Sequence, residues 1–235
     1  MESQSSQSVT VEPGVLTLCC SSLDVPPLFK TGPDGTRSGY EPAAAEAVAA
    51  QAGLELRWLF RPWADFEPAL MRGECDAIWC GCAITPERER RMAFSSPYAA
   101  FSESVVVRPD DQVSSPEELR GRRVLAIAGS TNFALAESFA GAEAVPFDAD
   151  TDDVLGDMLV LLRDGEVDAV VDDDVCFVEP DPTIRVAFTV PTANPWGAAC
   201  RPDDRELVAL LDRAIAGADL RSAWERWIPQ LSFPL

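Results

Sequence analysis

The chain contains no histidine. That absence excludes Ser-His-Asp and Cys-His catalysis, His-ligated zinc and any histidine-based pH switch. Basic residues are also scarce: 19 Lys and Arg stand against 39 Asp and Glu, a formal net charge of −20. A surface that acidic repels phosphate backbones, which makes nucleic acid and anionic membranes poor partners. No apolar run reaches the ~18–20 residues that a membrane helix needs. The opening stretch MESQSSQSVTVEPG has neither the basic nor the apolar segment of a secretory signal. The compartment is therefore expected to be the cytoplasm, or an extracytoplasmic space if an export segment lies outside this sequence.

Cysteine is present but organised for nothing obvious. Cys19, Cys20, Cys75, Cys80, Cys82, Cys176 and Cys200 make an odd number. Cys80-Gly81-Cys82 could be half of a metal site, but no second pair has the usual spacing. The plainer reading is small apolar side chains in buried strands, in a reducing compartment. Neither a metal nor any other cofactor is expected.

What is there looks like an ordinary globular chain. With 235 residues, 47% hydrophobic and 25% charged, it suits one large domain or two lobes of roughly 100 residues each. A chain of this length buries about 70–75% of its unfolded surface and needs no disulfide or metal staple. Residues 1–13 read as a disordered polar lead. Strand and helix patterns then alternate. Val15 to Cys20 is a buried strand, Pro42 to Gln51 a helix stopped by Gly53, and Leu54 to Phe60 an alternating strand. Phe66, Ala69 and Leu70 lie at helical spacing, and Asp76 to Cys80 is a strand. Thr85-Pro86-Glu87-Arg88 opens a helix with Thr at the N-cap. Ser115-Pro116-Glu117-Glu118 forms a capping box. Val124 to Ile127 is a strand, and Gly129-Ser130-Thr131-Asn132 turns into a helix ending near Gly141. Val154 to Leu162 carries an apolar helical stripe, Val167 to Val171 a strand ending in Asp172-Asp173-Asp174, and Leu207 to Ile215 a last helical stripe. This alternation implies an α/β fold with mostly parallel sheets, in which ligands sit beyond the carboxyl ends of strands. Ser21 to Asp24, Gly81 to Thr85, Ala128 to Asn132 and Asp172 to Asp174 all fall at such ends.

Four features could carry chemistry, and each has a plainer reading. Arg88, one turn past Thr85, could grip a carboxylate with two parallel hydrogen bonds, or be a solvated arginine beside Arg90 and Arg91. Asp173 could hold an ammonium group, or belong to a solvated acidic turn. Gly129-Ser130-Thr131 could present its N–H groups as an anion nest, or be an ordinary strand-to-helix turn; it lacks the Lys-Ser/Thr ending of a Walker loop. Trp63 could wall a pocket, or sit in the core.

GYEPAAAEAVAAQAG followed by PWADFEPALMRGECDAIWCGCAITPERERRMAFSSPYA resembles the solute-binding proteins of polar amino acid ABC transporters. The matching positions are Gly39-Tyr40, Trp63, Pro68-Ala69-Leu70, Gly73, Asp76, Ile84-Thr85, Arg88, Phe94-Ser95 and Pro97-Tyr98. GRRVLAIAGSTN and VDAVVDDD resemble second-lobe segments of the same family. The resemblance spans about residues 15 to 230. It implies a two-lobed type II periplasmic-binding-protein-like fold, each lobe a mostly parallel sheet flanked by helices. Lobe 1 is expected over 14–101 and 197–235, lobe 2 over 102–196, with crossings near 99–104 and 192–196. It also implies ligand contacts: Arg88 to the α-carboxylate, assisted by Thr85, main-chain groups near Ala83, and Ser130 and Thr131; Asp173 to the α-ammonium; Trp63 stacked on the ligand. Ser21 stands where some members carry an amine-binding acid, with Asp24 nearby, and Ile127 and Ala128 replace a basic or glutamine side chain found in others.

Two functions compete at this point. The first is a binding protein that closes around an amino-acid-like zwitterion, monomeric and working with an ABC permease; Asp24, Asp172 and Asp173 hint at a cationic ligand. The second is an intracellular lyase on the same fold. Gly129, Thr131 and Asn132 fit the Gly-x-Thr-Asn turn of some cyclohexadienyl dehydratases, which act on prephenate or arogenate. Asp173 or Asp174 would then be the general acid, with Cys176 where a catalytic glutamate is sought. A weaker third reading is a sensor domain detached from a membrane receptor.

Overall fold

The computed structural model describes residues 8–22, 24–148, 151 and 153–235. In chain order the strands and helices are β1 (Val15–Cys20), β2 (Lys30–Thr31), β3 (Arg37–Ser38), α1 (Tyr40–Ala52), β4 (Glu55–Phe60), α2 (Phe66–Met71), β5 (Ala77–Ile78), β6 (Ala93–Phe94), β7 (Ala99–Val107), β8 (Arg123–Ile127), α3 (Thr131–Ser138), β9 (Glu143–Phe147), α4 (Val154–Arg163), β10 (Ala169–Asp173), β11 (Arg185–Trp196), β12 (Ala199–Cys200), α5 (Arg205–Gly217) and α6 (Leu220–Trp227). They build two five-stranded sheets, ordered β4-β1-β5-β12-β6 and β11-β7-β10-β8-β9, and a small β2-β3 ribbon. Within the sheets β1 runs parallel to β4 and β5, and β8 runs parallel to β9 and β10. β12 and β7 add antiparallel pairs. The sheets are thus mixed, and the fold is the two-lobed type II periplasmic-binding-protein-like architecture.

The two lobes meet where β7 leaves the first sheet's neighbourhood and β11 returns to it. These strands pair antiparallel, with Ala99 opposite Trp196. Trp196 also bridges to Ala83, and its buried indole packs against Tyr40, Tyr98 and Phe101 at centroid distances of 6.3, 6.2 and 5.5 Å. Tyr98 in turn stacks flat on Trp79 at 3.9 Å. Large rings packed at an interior give the crossing a stiff base, because they bury much area and have few rotamers to lose.

Several local elements differ from expectation. The Thr85 start yields only a 3-10 turn over Arg88–Arg90, because Met92 is buried and the chain is drawn directly into β6 beside β12. The Ser115 segment is likewise a 3-10 turn, Pro116–Leu119, and Ser115 makes no side-chain cap. Glu118 instead accepts from the N–H and hydroxyl of Ser114 at 2.8 and 3.1 Å. The strand expected from Asp76 is confined to Ala77–Ile78. Asp76 is buried and accepts from the N–H groups of Val11 and Thr17 at 2.6 and 2.7 Å. The Val11 bond, with the Glu12–Arg57 ion pair, holds residues 8–13 of the expected disordered lead against the first sheet; residues 1–7 lie outside the described residues. All seven cysteines are free thiols, five buried and two, Cys80 and Cys176, partly exposed.

Candidate functional site

The carboxyl ends of β1, β8 and β10, with the segment that follows β5, converge on a cleft of about 180 Å³ between the lobes. Of the residues expected in a site, Ser21, Trp63, Ala83, Arg88, Ser130, Thr131, Asn132 and Asp173 line it. Thr85 and Asp24 do not. Thr85 lies behind Arg88, its hydroxyl accepting the Arg88 N–H at 3.2 Å. Asp24 is exposed and tied to the β2-β3 ribbon, accepting from the Thr31 N–H at 2.8 Å and from Arg37 at 3.2 Å.

The lobe 1 wall is already braced. The Arg88 guanidinium donates to the Ala83 carbonyl at 3.0 Å and lies 5.4 Å from the centre of the Trp63 ring. That leaves most of its five N–H donors for a ligand. Trp63 is packed edge-on to Phe66 at 5.3 Å and is 40% exposed, so one face is open to the cleft rather than to the core. Glu41, which none of the sequence motifs singles out, is fully buried at the floor. It accepts from the Gly81 N–H at 2.8 Å and from the Tyr98 hydroxyl at 3.0 Å. Burial pushes its carboxyl up to about 8, against these stabilising donors.

The lobe 2 wall is built differently. Ser130 caps α3: its hydroxyl accepts from the Phe133 N–H at 3.1 Å and donates to the Ile127 carbonyl at 2.6 Å. Its own N–H is turned to Ile127 at 3.2 Å, so this residue commits its polar groups inside the turn. Thr131 turns its hydroxyl to Glu103. Asn132 is 5% exposed; its amide N–H₂ donates to Asp172 at 3.2 Å and to Asp173 at 3.1 Å, while its Oδ1 has no partner. Two acceptor-only carboxylates fix which end of that amide faces them. Glu103 and Asp172 are buried and Asp173 is half-buried. Glu103 accepts from Thr192 and from Asn194, the latter at 2.6 Å, and Asp174 accepts from the Ser102 N–H at 3.2 Å.

Among the described residues none of Glu103, Asp172, Asp173 and Asp174 forms an ion pair with Arg or Lys. Burial raises all four above the ordinary carboxylate range, Asp172 to about 6. Asp173 is raised further by the charge of Asp172. A buried carboxylate without a cation must take a proton or recruit a positive charge from outside. The cleft therefore offers one guanidinium on one side and an uncompensated acidic pair, with a free amide oxygen, on the other.

Residues 18–227 match the bacterial extracellular solute-binding proteins, family 3. The chain is 24% identical over 222 residues to the ABC transporter arginine-binding protein 1 of Escherichia coli, covering 89% of each. Among solved structures it resembles an ancestral arginine-binding protein bound to arginine, with a TM-score of 0.81, 25% identity, and 92% and 98% of the two chains covered. An ancestral amino acid-binding protein described as a precursor of cyclohexadienyl dehydratase shares the fold at 24% identity, a TM-score of 0.78, and coverage of 91% and 95%.

Proposed function

We propose that this chain, which belongs to family 3 of the bacterial extracellular solute-binding proteins, closes its two lobes around an amino-acid-like zwitterion, with Arg88 and Asp173 as opposite ends of the grip. The observation that carries this reading is a single cavity with Arg88 on one wall and the unpaired Asp172–Asp173–Asn132 group on the other. Arg88, held by Ala83 and backed by Thr85, takes the α-carboxylate by two parallel bonds. Asp173 takes the α-ammonium, and the free Oδ1 of Asn132 is a further acceptor for a group with three N–H donors. Trp63 covers the side chain, while Ser21 and the N–H groups at the start of α3 flank the head. Only the closed state makes both ionic contacts, so the ligand selects it. The lobes in this reading are 14–101 with 197–235, and 102–196, hinged where Ala99 pairs Trp196.

Charge balance sets the preference among amino acids. One guanidinium against Asp172 and Asp173 favours a ligand of zero or positive net charge over an acidic one. The arginine-binding relative and the structural neighbour bound to arginine support the same side. Delivery of the loaded protein to an ABC permease completes the proposed role.

The test is thermal unfolding with arginine, lysine, histidine, glutamine and glutamate. Ligand at 100 times its Kd adds ~2.7 kcal/mol, which raises the melting point of a chain this size by roughly 5–10 °C. Basic or neutral amino acids should give that shift and glutamate the least; no shift with any of them would remove the reading. The raised Asp173 carboxyl beside Thr131 and Asn132 also keeps a lyase in view, since a protonated acid in a cleft can serve as general acid. Loss of prephenate or arogenate, followed by ultraviolet absorbance, would establish that reading instead.

A further inference from the structure

Beside the first cavity the cleft widens into a second one of about 560 Å³. The two share Ser21, Trp63, Ile127 and Val154 in their walls, so one molecule can occupy both. The annex is lined in lobe 1 by the run from Phe60, the last residue of β4, to Asp65, and in lobe 2 by Ala128 and by Phe147 at the end of β9.

Phe60 and Trp63 are each 40% exposed, two large rings left facing solvent within a concavity. Phe60 lines the annex and not the first cavity, so an amino acid head held at Arg88 does not itself cover it. The charges of the annex argue against an anionic tail. Among its described lining residues Arg61 is committed to Glu74 at 2.8 Å and to the Phe60 carbonyl at 2.9 Å, and Asp65 and Asp148 are exposed at the rim. That leaves no described cation poised for an anionic group, while aromatic and aliphatic walls gain by covering apolar surface.

We infer that the annex is a distal subsite for an apolar, ring-bearing group at the end of the ligand's side chain, an inference that rests on the zwitterion reading above. The preferred solute is then a side-chain-extended amino acid rather than a bare one. Ring burial of this kind strengthens binding by about tenfold or more.

The experiment is calorimetric titration of the intact protein with L-lysine and with Nε-benzyl-L-lysine, which keeps the side-chain charge and adds a ring. The benzyl derivative should bind at least about tenfold more tightly, and in Phe60→Ala that ratio should fall toward one. Phe60 is 40% exposed at a strand end, with the Arg37 guanidinium 5.6 Å from its ring, so unchanged L-lysine affinity in Phe60→Ala separates the subsite from the fold. Lysine binding with no benzyl advantage overturns the subsite and leaves the zwitterion reading standing. An advantage that survives Phe60→Ala overturns it as well, because the ring then sits elsewhere. Binding of neither compound to protein shown folded by circular dichroism takes down both.

Discussion

The two walls of the cleft are finished to different degrees. In lobe 1 the guanidinium and the carboxyl of the first cavity have company inside the protein: Arg88 has Ala83 and Trp63, and Glu41 has Gly81 and Tyr98. In lobe 2 Asp172 and Asp173, which face the cavity, share one asparagine whose oxygen has no partner, and among the described residues neither has a cation. On the proposed reading, lobe 1 is then a preformed seat that a ligand enters with little reorganisation. The acids of lobe 2 await a positive charge, and in that reading the second contact gives closure a direction by supplying the cation that the open state lacks.

The sharpest way to break this contrast is Arg88→Ala. Truncating one partner of a buried charged contact costs ~2–5 kcal/mol, so amino acid affinity should drop by tens-fold to thousands-fold in calorimetry. Unchanged affinity would place the carboxylate elsewhere. Asp173→Asn comes next, with a loss of roughly tenfold to a hundredfold, since the acceptor oxygen remains and only its charge is lost. A gain in affinity there would reverse the assignment of the two walls.

The contrast has a pH signature of the same sign. An acid raised by burial binds an ammonium only once it has lost its proton. Asp172 sits near about 6, and Asp173 is raised by burial and by Asp172, with Glu103 and Asp174 adding repulsion and Arg88 facing them across the cleft. Affinity should therefore fall as pH drops from 7 to 5, by about tenfold if one proton competes. The unliganded protein behaves oppositely: raised carboxyls favour the folded state at low pH and cost stability as pH rises through their folded values. Titrations at pH 5, 6, 7 and 8 check the first part, and a flat profile would mean that neither acid meets the ligand's cation.

Much of this is legible locally. The Gly129 turn, Asp173 and Arg88 lie at strand ends or capping signals that a few residues of sequence define. Sequence alone does not separate Asp172 from Asp173, because β10 is buried along almost its whole length and strand alternation assigns no open face. Glu103 sits mid-strand in β7 and gains its partners from β11, nearly ninety residues on, which no local pattern encodes. Glu41 does leave a trace. With Ala44, Ala45, Val48 and Ala49 it falls on one buried helical stripe, and an acid on such a stripe is an acid inside the protein.

Glu41 yields the next prediction, on stability rather than affinity. Its carboxyl moves from an ordinary 4.5 to about 8 on folding. The folded state then holds a proton that the unfolded chain has released, so stability is lost as pH rises from about 4.5 to about 8. Glutamine cannot ionise yet can still accept from Gly81 and Tyr98. Glu41→Gln should match the parent near pH 5 and melt several degrees higher at pH 9, at roughly 2–4 °C per kcal/mol for this size. Parallel melting curves for the two proteins across that range would mean Glu41 is not the group that titrates.

Asp24→Ala should do least. By sequence Asp24 stands close to the amine end of the site; in the structure it is exposed and braces the β2-β3 ribbon through Thr31 and Arg37. Arg37 keeps the carbonyls of Ser21 and Ser22 at 3.0 and 3.1 Å and the Thr31 hydroxyl at 2.8 Å when that carboxylate is gone. Ser21, a cleft residue this ribbon supports, therefore keeps its anchor. The Arg37 side chain is 6% exposed and that of Asp24 47%, so losing the carboxylate costs stability at the ribbon, while affinity should change by less than about threefold. A larger loss would show that the acidic wall of lobe 2 does not hold the amine alone, and that lobe 1 contributes charge of its own.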